Sequence, residues 1–319
     1  MLTPNDNCEL YIEPQLDTIY APGQPAGYFA DYSGKNRAMV ADSDYPFYST
    51  PALNGKAAIA WLGANKPLKN SAVFPVHCGW IVARYGGAAF STYNGLLTDL
   101  NSIGVLVGNG NGSTNFYDFG IEFYEFRSND RIHPASNAPA PMNAWRVIFF
   151  RFWSPVVFNG VQLGQQFGLT DRKWSGSVAL LALYSRSFIE SDIRRYSKVI
   201  SDNFALPLAD VYPYQADTDG VQENPAQSVN FYQPPEGERI SEVLGNPKRV
   251  LDLKFSSADQ KELQTMKSFH AAHYAPALRT VYRDYRVTPP EDIEGYIDSQ
   301  YQADGANNDF SYGFRFKEK

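Results

Sequence analysis

Cysteine is scarce: Cys8 and Cys78 are the only two in 319 residues. Two cysteines make no disulfide framework. The sequence leaves open one bridge between them or two separate buried thiols, and the second is the simpler reading. Basic runs are absent and the net charge is −6. A protein that grips nucleic acid through its phosphates needs clustered Lys and Arg, so no specific nucleic-acid partner is expected. The most basic stretch runs from Arg146 to Lys198 and includes Arg151, Arg172, Lys173, Arg186, Arg194 and Arg195. No apolar run approaches the ~20 residues of a membrane helix. The longest, Val178–Tyr184 and Val147–Phe150, are strand-sized, so no transmembrane segment is expected. Met1 to Asn7 lacks a basic segment leading into an apolar one, which predicts no secretory signal and folding in a cytosol.

Recognisable chemistry is equally sparse. No phosphate-binding loop of the G-x-x-x-x-G-K-[ST] type and no G-x-S-x-G elbow occurs. Gly108-Asn109-Gly110-Asn111-Gly112-Ser113 has Ser113 where a dinucleotide loop needs its third glycine, and it reads as a hairpin turn. Histidine is limited to His77, His133, His270 and His273. His77 adjoins Cys78, but neighbours in a strand face opposite ways, which excludes a direct Cys/His pair. His270 and His273 lie i, i+3 on a predicted helix, without the intervening Glu of zincins or a third ligand. Asp217-Thr218-Asp219-Gly220 resembles a calcium loop, yet Gln215 and Ala226 fill the first and twelfth positions and exclude an EF-hand. A looser Ca²⁺ site from Asp217, Asp219 and Glu223 is the single cofactor candidate. Among carboxylates, Glu122 with Glu125, Glu190 with Asp192 and Asp42 with Asp44 are equivalent, and none stands out as a glycosidase pair. No catalytic residue is assigned, and the chain is not expected to be an enzyme.

What is abundant is aromatic surface: 21 Tyr, 21 Phe and 5 Trp give a 15% aromatic fraction. Aromatics favour strands and supply contact area at interfaces. Short apolar runs at Ala57–Leu62, Val73–Val76, Trp80–Tyr85 and Ile103–Val107 alternate with turn residues. Phe116–Arg127 reads as one long strand. Trp145–Trp153 is apolar on both faces and reads as a central, buried strand that breaks at Ser154-Pro155. Asn159-Gly160 reads as a tight turn. Ser177–Tyr184 is a second buried strand, and alternating Phe310, Tyr312, Phe314 and Phe316 form a C-terminal one. Helical spacing marks residues 188–200, and a capping box from Ser257 opens a second helix over 258–274. The fold class is mainly β: a jelly-roll type sandwich or barrel with two or three short helices, as one domain or as two tandem barrels (a double jelly roll). The two-barrel division places a first domain with an extended N-terminal arm at 1–165 and a second at 166–319.

Aromatics in the Pro-rich loops have little use inside one domain. Tyr45, Phe47, Tyr48, Tyr212, Tyr214, Phe231 and Tyr232 are therefore the candidate subunit-interface residues. The expected function is structural and self-assembling. The most concrete form is a viral, phage-type capsid or virion subunit that forms homotrimers or a larger icosahedral shell with other virion proteins, assembled in the host cytoplasm. The alternative is a carbohydrate-binding or carbohydrate-active β protein, such as a lectin or tail-spike module. A cupin-like metal enzyme is weaker, since its ligands would have to come from four scattered histidines.

Overall fold

Turn chemistry and aromatic runs together cut this chain into strands. A computed structural model describes residues 7–17, 19–62, 65–101, 103–110, 112–119, 123–133, 138–166, 172–209, 221–232, 240–258, 269, 280–284, 290–297, 302–306 and 309–318. The chain is mainly β and divides into two compact units, Met1–Leu208 and Ala209–Lys319.

The strands of the first unit are β1 (Cys8–Ile12), β2 (Tyr28–Phe29), β3 (Met39–Val40), β4 (Phe47–Leu53), β5 (Lys56–Leu62), β6 (Leu68–Tyr85), β7 (Gly95–Thr98), β8 (Gly104–Gly108), β9 (Phe116–Phe119), β10 (Phe123–Ser128), β11 (Arg131–His133), β12 (Arg146–Leu163) and β13 (Ser175–Tyr184). They form one curled antiparallel sheet, a half-barrel, with the order β4-β5-β13-β6-β12-β7-β8-β9. β1 pairs with β13, β3 with β6, and β10 with β12. The β4–β5 hairpin turns on Asn54 and Gly55, with φ of 47° and 74°, the pair of positive angles that a two-residue hairpin needs. The loop at residues 109–115 joins the antiparallel pair β8–β9, as its glycines and asparagines predict.

The expected boundary at 165/166 falls inside this sheet. β13 lies between β6 on one side and β1 and β5 on the other, so the second expected domain would lose this buried strand to the first. The units part instead after Leu208. Two expected breaks are also absent. Val73–Val76 and Trp80–Tyr85 belong to the 18-residue β6, and β12 continues for 18 residues through Ser154-Pro155. Gly160 is a bulge rather than a turn: at φ 84° it shifts the register between Asn159 and Val161, and the Asn70 carbonyl sits 2.6 Å from where a Cβ would stand. Phe116–Arg127 resolves into β9 and β10, which have different partners.

Both faces of the central strands are buried. Ile81, Ile148, Phe150, Leu181 and Leu183 belong to the larger core on the inner face. Trp80, Val82, Phe149, Leu180 and Tyr184 face the other way, under a single helix, α1 (Glu190–Phe204). Its buried stripe of Ile193, Ser197, Ile200 and Phe204 follows helical spacing. Glu190 and Asp192 occupy its first turn, where the helix dipole favours acids, and Ala205 ends it in the left-handed conformation. The expected helix near 188–200 is thus present, shifted to 190–204.

The second unit contains β14 (Val221–Tyr232), β15 (Ile240–Ala258), β16 (Thr280–Asp284), β17 (Glu291–Ile297), β18 (Gln302–Ala306) and β19 (Asp309–Glu318). They form a separate antiparallel sheet of order β14-β15-β19-β17-β16, with β18 paired to β19. Leu251, Leu253, Val281, Tyr282, Ile293 and Ile297 are buried here. Arg283 and Asp292 face each other across β16 and β17 and make a buried two-point ion pair at 2.7 and 3.1 Å. The expected C-terminal strand is β19. Ala258, the first residue expected in the second helix, is still in β15 and pairs with Phe310. The rest of that expected helix lies outside the described residues, except Phe269, which is helical.

Candidate functional site

The outer face of the first sheet carries the two arrangements that chemistry could use. The first begins at a bulge. Phe123 pairs with Phe152 and Glu125 with Arg151, leaving Tyr124 unpaired. The bulge resets the alternation of β10. Phe123 and Phe126 both enter the inner core, while Glu125 and Arg127 turn to the outer side beneath α1.

Arg127 is fully buried. Its guanidinium donates to Glu125 and Glu190, and to Asp130 at 2.9 Å. Arg151 bonds the second oxygen of Glu125 and donates to the Phe188 carbonyl at 3.1 Å. Arg194 completes the set by donating to Glu190 at 3.1 Å. Three guanidiniums thus meet three carboxylates. Burial lowers the pKa of Arg127, but the carboxylates of Glu125, Glu190 and Asp130 outweigh it and hold the guanidinium's pKa well above its ordinary value. A charge-balanced network of this kind fastens one element to another.

Nearby groups are shielded in the same way. The Cys78 thiol donates to the Arg186 carbonyl at 3.3 Å. Burial raises its pKa strongly, against the smaller opposing pull of Arg151 and Arg186, so it is no nucleophile at neutral pH. His77 has its pKa lowered, first by burial and further by Arg151, against a hydrogen bond with the Phe152 backbone. Among the described residues no group of three or more His, Cys, Asp or Glu could hold a metal ion, and no helix is long and apolar enough to cross a membrane.

The second arrangement is what α1 leaves bare. Beyond Cys78 and Arg151, no described segment of the first unit covers the outer face of β6 and β12. Val73 and Val157 are 61% and 55% exposed, and Trp153 is 53% exposed. Pro75 pairs with Val157, and Asn159 with Val73. Val40, across from Lys69, and Tyr28, across from Val40, extend the surface over β3 and β2. Nine large hydrophobic side chains are exposed among the described residues, and five of them lie on this one face. Scattered exposed apolar residues need no explanation, but a contiguous set marks a contact surface. At one end Tyr124 packs edge-on against Trp153, with ring centroids 4.6 Å apart, and Arg151 lies over Tyr124 at 4.4 Å.

The residues expected at an interface fall elsewhere or apart. Tyr45 is exposed and covers Gly27. Phe47 is half-buried in β4, paired with Ala60. Tyr48 is a correction: it is not in a loop but in β4, buried in the inner core with its ring 5.9 Å from Tyr20. Tyr212 and Tyr214 lie outside the described residues. Phe231 and Tyr232 are in β14, paired with Ser241 and Ile240, rather than in a loop. Of the calcium candidates, Asp217 and Asp219 lie outside the described residues, and Glu223 is in β14 opposite Leu251. His270 and His273 also lie outside them.

Sequence reasoning missed the bare face because Ser154-Pro155 resembles the end of a strand. The available signal was a proline in each of two neighbouring apolar strands, Pro75 and Pro155. Proline is tolerated within a sheet at bulges, and β12 carries three extra residues between its pairs Arg151–Cys78 and Val156–Val76. The chain matches no family model, and no curated protein is similar to it in sequence.

Proposed function

We propose that this chain is a structural subunit that assembles with copies of itself, in the manner of a viral, phage-type capsid or virion subunit. One observation carries the reading: the apolar outer face of β6 and β12, left open beside α1 with Val73, Trp153 and Val157 in solvent. Covering a side chain of this kind is worth roughly 1.5–3 kcal/mol. A subunit that meets its neighbours recovers this energy, and a solitary protein does not. The charge-balanced ion network supports the same reading, because it stiffens the scaffold. The finer architecture proposed with it is a jelly roll, with the two units as tandem barrels, in homotrimers or a larger shell formed in the host cytoplasm with other virion proteins. Tyr45, Tyr212 and Tyr214 remain proposed contact residues.

Size-exclusion chromatography with mass detection, followed by electron microscopy, tests the proposal. Trimers or larger regular particles are expected. A strict monomer at every concentration overturns it. Replacing Tyr212 and Tyr214 by Ala is expected to impair assembly while leaving the folded monomer intact.

A second reading is favoured by Trp153 and Tyr124. An exposed indole braced by a tyrosine and an arginine is a surface on which a sugar ring stacks. A carbohydrate-binding β protein of lectin or tail-spike type would bind on a glycan array, and Trp153→Ala would abolish the signal.

A further inference from the structure

We infer, on the self-assembly reading above, that the bare outer face of β2, β3, β6 and β12 is a two-fold interface between copies of this chain, with its axis running across the strip. The strip begins at Tyr28 and Val40, passes Val73, Pro75 and Val157, and ends at Trp153. Its alternation holds as far as the bulge at Gly160. Met39, Phe74, Val76 and Phe158 belong to the inner core, with Val156 packed against it, so Val40, Val73, Pro75, Val157 and Asn159 face outward.

Charge decides the occupant and its orientation. The centre, with Ser71, Val73, Pro75, Val157 and Asn159, carries no charge, so a second copy brings no like charges together there. The ends carry different charged groups: Asp42 beside Lys69 at one, Arg186 at the other. Beyond Val40 stands Asp42, whose carboxylate is 86% exposed and only loosely held by Lys69 at 3.8 Å, a pair of the kind that contributes little. At the other end stands Arg186, exposed, with its guanidinium 4.6 Å over the Phe188 ring and its carbonyl bonded by Cys78. Glu125 already binds Arg151, and Glu190 binds Arg127 and Arg194, so among the described residues Arg186 is the cation left to face outward at this end. A two-fold along the strip would set Asp42 on Asp42 and Arg186 on Arg186. A two-fold across it sets Asp42 against Arg186 twice, the self-complementary arrangement of an isologous contact.

Size is consistent with this role. From Lys69 to Cys78 the strip is about 30 Å long at ~3.3 Å per residue, and its two long strands, β6 and β12, make it about 10 Å wide. That gives on the order of 300 Å², the apolar centre of a standard interface of ~800 Å² per partner, with α1 and the β2–β3 side completing the rim.

The test is sedimentation equilibrium of the full chain and its variants, with circular dichroism to confirm folding. Val73→Glu with Val157→Glu is expected to weaken self-association by about 100-fold or more, since it buries four unpaired charges per contact. Asp42→Arg alone is expected to weaken it about tenfold by opposing Arg186. Combining Asp42→Arg with Arg186→Asp is expected to restore it, which a variant that merely unfolds cannot do. If the native chain associates and the Val73/Val157 variant associates equally well, the interface is overturned while self-assembly stands. If Asp42→Arg is not rescued by Arg186→Asp, the stated orientation is overturned. If the native chain is monomeric, both readings fall. A monomer that instead sediments with phosphatidylcholine vesicles assigns the face to a membrane and overturns the interface.

Discussion

Arg127 in β10 reaches Glu190, the first residue of α1, across 63 positions of sequence and bonds both of its carboxylate oxygens. The helix is therefore fixed at its N-terminal end by a buried charge as well as by its apolar stripe. Removing one partner of such a group strands the others in a dry environment. Arg127→Met is expected to lower stability by about 3–5 kcal/mol, read from urea unfolding. Arg127→Lys should recover little, because an ammonium cannot make the forked contacts with Glu125, Asp130 and Glu190 together. A loss below about 1 kcal/mol for Arg127→Met would show that the network does not hold the helix.

Trp80 is the apolar counterpart of that anchor. Its ring lies 4.7 Å from Phe149, 5.3 Å from Phe188 and 5.6 Å from Tyr196, and its Nε1 donates to Ser197 at 3.2 Å. Trp80→Ala is expected to cost about 3–5 kcal/mol and Ser197→Ala about 1 kcal/mol. Near-ultraviolet circular dichroism should lose its aromatic bands in the first variant and keep them in the second.

Cys8 and Cys78 stand on either side of Tyr184, each opposite it in a neighbouring strand. Two strand spacings separate them, about 9.6 Å, whereas a disulfide spans Cα atoms ~4.4–6.8 Å apart. This settles the choice between one bridge and two thiols in favour of thiols, and both are free and buried. Burial raises the pKa of Cys8 to about 12. Native protein is expected to react with a thiol reagent orders of magnitude more slowly than unfolded protein, which should titrate two thiols. Fast labelling of either cysteine in the native state would contradict this packing.

His77 gives the fold a weak acid sensitivity. Burial, then the charge of Arg151, keeps its folded pKa below the ordinary ~6.5. The neutral ring is favoured in the fold, so its contribution is complete above pH ~6.5 and declines as pH falls through the depressed folded value. His77→Gln is expected to flatten the loss of thermal stability below pH ~6.5 without altering it at pH 8. Equal pH profiles for the two proteins would remove His77 from the account.

Periodicity made the best-ordered elements readable in advance. Trp145–Trp153 predicted a strand buried on both faces, and Val147 to Phe152 is that strand, packed between the inner core and α1, with Arg151 only half-buried. Phe188, Ile193 and Ile200 predicted the helix. Register was not readable. Tyr124, Ala179 and Gly160 sit at irregularities that shift alternation by one residue, and nothing local distinguishes them from ordinary strand positions. The candidate surface was hidden for the same reason. Val73 and Val157 look like core residues until the strand pairing and the reach of α1 show what covers them. The loop aromatics led elsewhere, because Tyr48 finds its burial within its own unit through β4.

β1 closes against β13, with Ile12 opposite Leu181. A nascent chain elongating at ~5–20 residues per second exposes β1 for roughly 8–34 s before its partner is made. Throughout that interval Leu10, Tyr11 and Ile12 are apolar residues in search of a strand. Synthesis of the first unit therefore has a vulnerable window between β1 and β13, and a chaperone that shields β1, or a slow stretch of translation placed after residue 184 instead of between the two strands, would raise the yield of folded protein.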